Sequence, residues 1–256
     1  MSSKSLAAEH PDGLPIPRRY WAVLTIAIGL VMAVMDGAIA NVALPTIAKD
    51  LHASPAISIW IVNGYQLAVT ISLLPLASLG EIFGYRRVYL AGLALFTIAS
   101  LLCAFSDSLG ELAIARVVQG FGAAGIMSVN SALVRFIYPH RILGRGIGIN
   151  AFVVAVSAAL GPTLASAILA VGDWPYLFAV NIPFGVVALA IGMRALPHSP
   201  RKLHPFDWQS ALASAATFGF AIGAIDSLGH GAAPHVYLAE AGIAVLAGIL
   251  LVRRQS

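Results

Sequence analysis

The sequence predicts an all-α integral membrane protein of about eight spans. Two observations carry this. Of its 256 residues, 59% are hydrophobic and 10% charged, with a mean hydropathy of +0.87. That is more apolar surface than a water-soluble domain of this size can bury. The apolar residues are also gathered into eight runs, each near the ~20 residues a helix needs to cross hydrocarbon. None of the runs alternates with period two, which excludes a transmembrane β-barrel.

In chain order, residues 1–19 read as a cytoplasmic N-terminal tail. Met1 to Pro17 is polar and proline-containing, reads as disordered, and has no cleavable signal pattern. The first span, Tyr20–Ala43, carries Asp36 in its second half, and Pro45 marks its end. The second, Ile57–Leu79, carries Asn63 and Gln66. A tight turn follows, with Glu81, Gly84, Arg86 and Arg87 before Val88. The third span, Val88–Phe105, holds the single cysteine, Cys103, so there is no disulfide framework. The fourth, Leu112–Val134, contains Arg116 and Gln119, followed by the small residues Gly120, Ala123 and Ala124. The loop Pro139–Arg145 leads to the fifth span, Ile147–Val171, with Gly161-Pro162 at its middle. The aromatic stretch from Trp174 opens the sixth, Tyr176–Leu196, which contains Asn181. Residues 198–209 read as a cytoplasmic linker. Residues 210–256 read as a further hairpin, Ser210–Leu228 with Val236–Val252, and a short tail. Three, three and two spans thus give a six-helix unit over 20–197 and an added pair. Three plus three is the form an inverted repeat takes.

Charge sets the expected orientation. Thirteen of the 15 Lys and Arg residues fall on one side of this arrangement, with Lys49 opposite and Arg116 within the membrane. By the positive-inside tendency both termini are cytoplasmic, in a multi-pass protein of the cell membrane. Trp21, Trp60 and Trp174 lie near span ends, where interfacial anchors belong. The pI near 9.5 does not indicate a nucleic-acid partner, because the basic residues lie in short loops that set topology.

Arg116 is the residue around which the rest is arranged. A guanidinium stays protonated wherever it is placed. In lipid this is costly, so it faces a protein interior or a wet cavity. Gln119 follows at three residues and shares its helix face. Asp36 can relieve the cost of burial by taking up a proton, which makes it the candidate proton site; the alternative is a static buried pair with Arg116 or with backbone donors. Asn63, Gln66, Gln119 and Asn181 either line a cavity or join helices by hydrogen bonds. Glu81 has Arg86, Arg87 or a helix N-terminus as partners, and Gly84 permits a sharp bend. Gly161-Pro162 produces a kink with either a packing or a gating role. No P-loop, nucleophile or zinc motif is present, so an enzyme is not expected, and no cofactor or metal is implied.

Five stretches, in order, resemble the major facilitator superfamily, specifically its fourteen-span drug:proton antiporters. They are Asp36 to Pro45; Ala77 to Arg87; Arg116-Val117-Val118-Gln119-Gly120; Leu160-Gly161-Pro162; and Trp174 to Gly185. The second differs from the usual pattern at Ala77, Glu81 and Ile82. The resemblance implies that residues 20–197 are the N-terminal bundle of that fold and that 210–252 are two extra spans. It implies that Asp36 and Arg116 couple to protons and that Glu81, Gly84, Arg86 and Arg87 belong to a cytoplasmic latch. It also places the Gly161-Pro162 helix between the two halves of the transporter. The expected function is the N-terminal part of a secondary exporter of amphipathic small molecules, driven by a proton gradient, in a lipid bilayer. Alternating access needs two bundles, so a C-terminal bundle or a second chain is the expected partner. The alternative is a truncated, non-transporting membrane module.

Overall fold

The computed structural model describes residues 12–201, 206–229 and 233–255. The readings made for residues 1–11, for 202–205 within the linker and for Ser256 lie outside the described residues. The chain is all-helical, and no strand occurs among the described residues. The helices are α1 (Arg18–Asp50), α2 (Pro55–Ser58), α3 (Trp60–Phe83), α4 (Tyr85–Ala104), α5 (Leu109–Ile137), α6 (Leu143–Val171), α7 (Pro175–Ala179), α8 (Asn181–Ala195), α9 (Trp208–Gly229) and α10 (Pro234–Gln255). A 3-10 turn, His140–Ile142, leads into α6. Eight segments are long and apolar enough to cross a membrane, with α7 and α8 together forming the sixth.

Several helices continue past their apolar runs, because backbone hydrogen bonding does not require apolar side chains. The clearest case is α1. Pro45 was expected to stop it, yet the helix continues to Asp50. A proline removes one backbone hydrogen bond, but the fully buried Ile47 packs into the core beyond it and holds the helix in place. At the start of α5 the signal is chemical. Ser108 accepts a hydrogen bond from the Glu111 backbone N–H at 3.3 Å, and Glu111 accepts one from the Asp107 N–H at 3.1 Å. The Ser108 side chain caps the helix and Glu111 reaches back to the residue before the cap, and together they fix where the helix begins.

Two further expectations are corrected. The tail was read as disordered to Pro17, but residues 12–14 lie against the end of α5 and the turn after it. Leu14 donates its N–H to the Ile137 carbonyl at 3.0 Å and is buried, and Asp12 accepts from the His140 N–H at 2.8 Å. Leu14 supplies the buried contact, whereas Ile16 is exposed. Trp174 was read as an interfacial anchor. It is 4% exposed, against 52% for Trp21 and 49% for Trp60. Its indole N–H donates to Asp50 at 2.7 Å and its ring meets Phe178 edge-on, so it is a core residue joining α7 to the end of α1.

Packing is closest between α4 and α5. A Cβ at Gly122 would lie 2.5 Å from the Phe96 backbone nitrogen, and one at Gly92 would lie 2.8 Å from Gly125. Only glycine lets two backbones approach so far. The helix α3 lies on the other side of α5, where a Cβ at Gly120 would lie 2.6 Å from the Tyr65 carbonyl. Helix α1 packs on α6 and α8, while α9 packs on α10 and α3.

The buried apolar side chains form two clusters. One contains Ala33, Tyr65, Phe96 and Ala123 and extends to the arginine-rich end of the molecule. The other contains Ile39, Ile61, Cys103, Ala115 and Phe178 and extends to the opposite end. On each of α1, α3, α4 and α5 the chain passes from one cluster to the other within about two turns. The polar residues lie at that passage.

Candidate functional site

The seam between the two clusters is filled by Asp36, Ser100, Arg116, Gln119 and Asn181. Asp36 is 1% exposed and Arg116 is fully buried. Asp36 lies 18 residues from the start of α1, about 27 Å along a helix rising 1.5 Å per residue. The two form an ion pair through Arg116 Nη1 and Asp36 Oδ2. The other carboxylate oxygen, Oδ1, accepts from Gln119 Nε2 and Asn181 Nδ2, each at 3.0 Å. Gln119 also donates to the Ser100 hydroxyl at 2.9 Å, and its carbonyl accepts from Arg116 Nη1 at 2.6 Å. Arg116 Nε donates to the Ile61 carbonyl at 3.2 Å. Its guanidinium carbon lies 4.1 Å from the Tyr65 ring centroid and 5.5 Å from that of Phe178, within cation–π range. Tyr65 is itself held by its hydroxyl, which donates to the Ala33 carbonyl at 2.8 Å.

One carboxylate thus receives donors from α5 and α8 while sitting on α1. The arginine binds α3 through a backbone carbonyl and a ring. This is how a buried charge pair becomes tolerable: partners replace the water that both ions have lost. Breaking such a pair from one side costs about 3–5 kcal/mol.

Asp36 and Arg116 are therefore brought together. Of the two uses open to Gln119 and Asn181, lining a cavity or joining helices by hydrogen bonds, the structure shows the second: both are buried donors to Asp36. Asn63 faces elsewhere, donating to Asp226 of α9 at 3.3 Å, and Gln66 is exposed. Sequence reasoning missed Tyr65, Ser100, Cys103 and Phe178. A signal existed for three of them: Ser100 and Cys103, and Phe178 and Asn181, are three residues apart and so share helix faces. Cys103 donates its S–H to the Gln119 carbonyl at 3.5 Å.

A second group lies at the arginine-rich end. Gly84 joins α3 to α4 at φ +98°, a conformation that glycine adopts readily. Arg86 bonds the Met193 carbonyl and the His198 ring, and the Tyr85 N–H donates to Ser199 at 3.0 Å. The turn is thereby tied to the segment leaving α8. Arg87 is exposed and Glu81 half-buried. Gly161 meets α1 beside the pair, since a Cβ there would lie 2.7 Å from Ala38; Pro162 faces outward.

Comparison with known proteins agrees with this architecture. The Major Facilitator Superfamily model matches residues 26–251. The chain is 56% identical over 246 residues to the uncharacterized transporter YebQ of Escherichia coli, covering 95% of this chain and 54% of that protein. It is 37% identical over 181 residues to the riboflavin transporter RibZ of Clostridioides difficile, covering 70% of this chain and 40% of RibZ. It is 34% identical over 197 residues to the tetracenomycin C resistance and export protein of Streptomyces glaucescens, covering 77% of this chain and 37% of that protein. The chain spans about half the length or less of these curated relatives. With the matched region running from the first span into the last, this chain is a member of the Major Facilitator Superfamily.

Proposed function

We propose that this chain is the N-terminal part of a proton-coupled exporter of amphipathic small molecules, of the fourteen-span antiporter type. The carrying observation is the Asp36 carboxylate, buried on α1 and bonded from α5 and α8. As placed, the groups facing it are N–H donors. A proton arriving on Asp36 would point an O–H at donors and remove the charge that answers Arg116. The cluster would have to rearrange, through amide rotation or movement of α1 against α5 and α8. That is a physical route from proton uptake to helix displacement. Return of the proton to solvent would restore the pair.

Among the relatives, the name of a resistance and export protein supports export, and that of a riboflavin transporter supports a small organic substrate. A second bundle, on this chain's continuation or on a partner, would supply the other wall of the substrate cavity. Arg86 and its neighbours would latch the cytoplasmic end, and the Gly161-Pro162 helix would face the second bundle.

The test is Asp36→Asn in the complete transporter, assayed in inverted membrane vesicles with an imposed pH gradient and a fluorescent lipophilic dye. Loss of gradient-driven dye movement with normal membrane insertion is expected. Undiminished transport would remove Asp36 from the mechanism. Wild-type vesicles that move no such dye in response to the gradient would leave the non-transporting module as the better reading.

A further inference from the structure

A groove of about 700 Å³ opens between α3 and α4, away from the Asp36 site. Ile71, Leu79 and Phe83 form one wall, Ala91 the other, and Phe121 of α5 lies in its floor. Ala215 of α9 closes one edge. The lining is apolar but for Ser72 and one charged residue, Arg87, at the arginine-rich end.

Arg87 is exposed, and no hydrogen bond or ion pair engages its guanidinium among the described residues. Its neighbour Arg86 is committed to Met193 and His198. The groove runs along α3 from Phe83 to Ile71, twelve residues, or about 18 Å at 1.5 Å per residue. Half of a bilayer's hydrocarbon core is about 15 Å. A groove one leaflet long, greasy throughout and cationic at its headgroup end, has the dimensions and charge of a phospholipid.

We infer that an anionic phospholipid of the cytoplasmic leaflet occupies this groove, with one acyl chain between α3 and α4 and its phosphate on Arg87. The acyl chain also contacts Ala215, so the lipid fills the joint between the α9–α10 hairpin and the rest of the chain. This holds whether or not Asp36 carries protons.

The test is native mass spectrometry of the full chain, reconstituted with equal phosphatidylglycerol and phosphatidylcholine and then extracted in mild detergent. One retained phospholipid per chain is expected, with phosphatidylglycerol favoured roughly fivefold, the contribution of one cation at an anionic surface. Arg87→Gln should bring the ratio near one while a lipid is still retained. Ala91→Phe fills the groove from α4 and should abolish retention of both lipids. Ala215→Phe fills it from α9 and should do the same, which guards against one variant failing to fold. Equal retention in wild type and both filled variants overturns the inference. So does a phosphatidylglycerol preference that survives Arg87→Gln, or a wild-type groove holding a non-lipid amphiphile.

Discussion

A guanidinium cannot give up its proton, so Arg116 carries a full charge into the place where the two apolar clusters meet. Everything bonded to it answers that charge: a carboxylate, a backbone carbonyl, an amide oxygen and two aromatic faces. Asp36→Asn removes the only anion in the cluster and should lower stability by about 3–5 kcal/mol, the cost of leaving a buried charge unpaired. Adding Arg116→Gln should recover part of that loss, because both charges are then gone. Thermal unfolding of the single and double variants in detergent measures this; a double variant no more stable than Asp36→Asn would show that the pair is not what holds the seam. The pair itself was legible, since an aspartate and an arginine inside apolar runs have few affordable partners. Its surroundings were not. Nothing in the local pattern says that Asn181 reaches Asp36, 145 positions earlier. That contact depends on how α8 is laid against α1, and helix–helix geometry is set by the whole bundle.

At the scale of helices, the glycines separate by what a methyl group would strike. Gly122→Ala would drive its Cβ into the α4 backbone, which cannot move aside as a side chain can. A loss of about 1–3 kcal/mol is expected, the usual cost of overpacking. Gly148→Ala, on an exposed stretch of α6 with nothing within 4 Å, should be neutral or stabilise by up to about 1 kcal/mol, since alanine favours the helix. Paired melting curves of the two variants check this, and equal destabilisation would reject the α4–α5 contact. The start of α9 gives a pH prediction. Asp207 accepts from the Ser210 N–H and hydroxyl and from Arg254, and these bonds hold its carboxyl below the ordinary 3.8. A lowered carboxylate pKa means that the cap is intact at neutral pH and is lost only as pH falls through that lowered value. Protection of the Ser210 amide, its exchange relative to the intrinsic rate at each pH, should therefore fall only in acid below 3.8, and Asp207→Ala should remove the pH step. The eight spans were readable because apolar length is a one-dimensional signal. Their ends were not, because caps such as Ser108–Glu111 and burial such as that of Ile47 carry helices past the apolar residues.

At the scale of the whole molecule, helix α5 connects ends of opposite character. Around its first turn lie Asp107 and Glu111, with Asp50 and Asp173 at the same end of the bundle. Around its last lie Arg135, Arg141 and Arg145, joined by Arg18, Arg19, Arg86 and Arg194. Insertion favours keeping arginines on the cytoplasmic side, so this asymmetry sets the expected orientation and, with it, the direction in which an exporter would work. Two glycines with open space around them, Gly110 before α5's charge site and Gly144 beyond its far end, allow a direct reading. In intact cells a membrane-impermeant maleimide should label Gly110→Cys, whereas Gly144→Cys should react only after permeabilisation. The native Cys103 is buried and should stay silent in both. The reverse pattern would invert the protein and place the Arg86 tie and the groove mouth at Arg87 on the outer face. Labelling of Gly144→Cys from both sides would instead mean a mixed population of orientations, which an arginine bias confined to one end of eight spans does not permit.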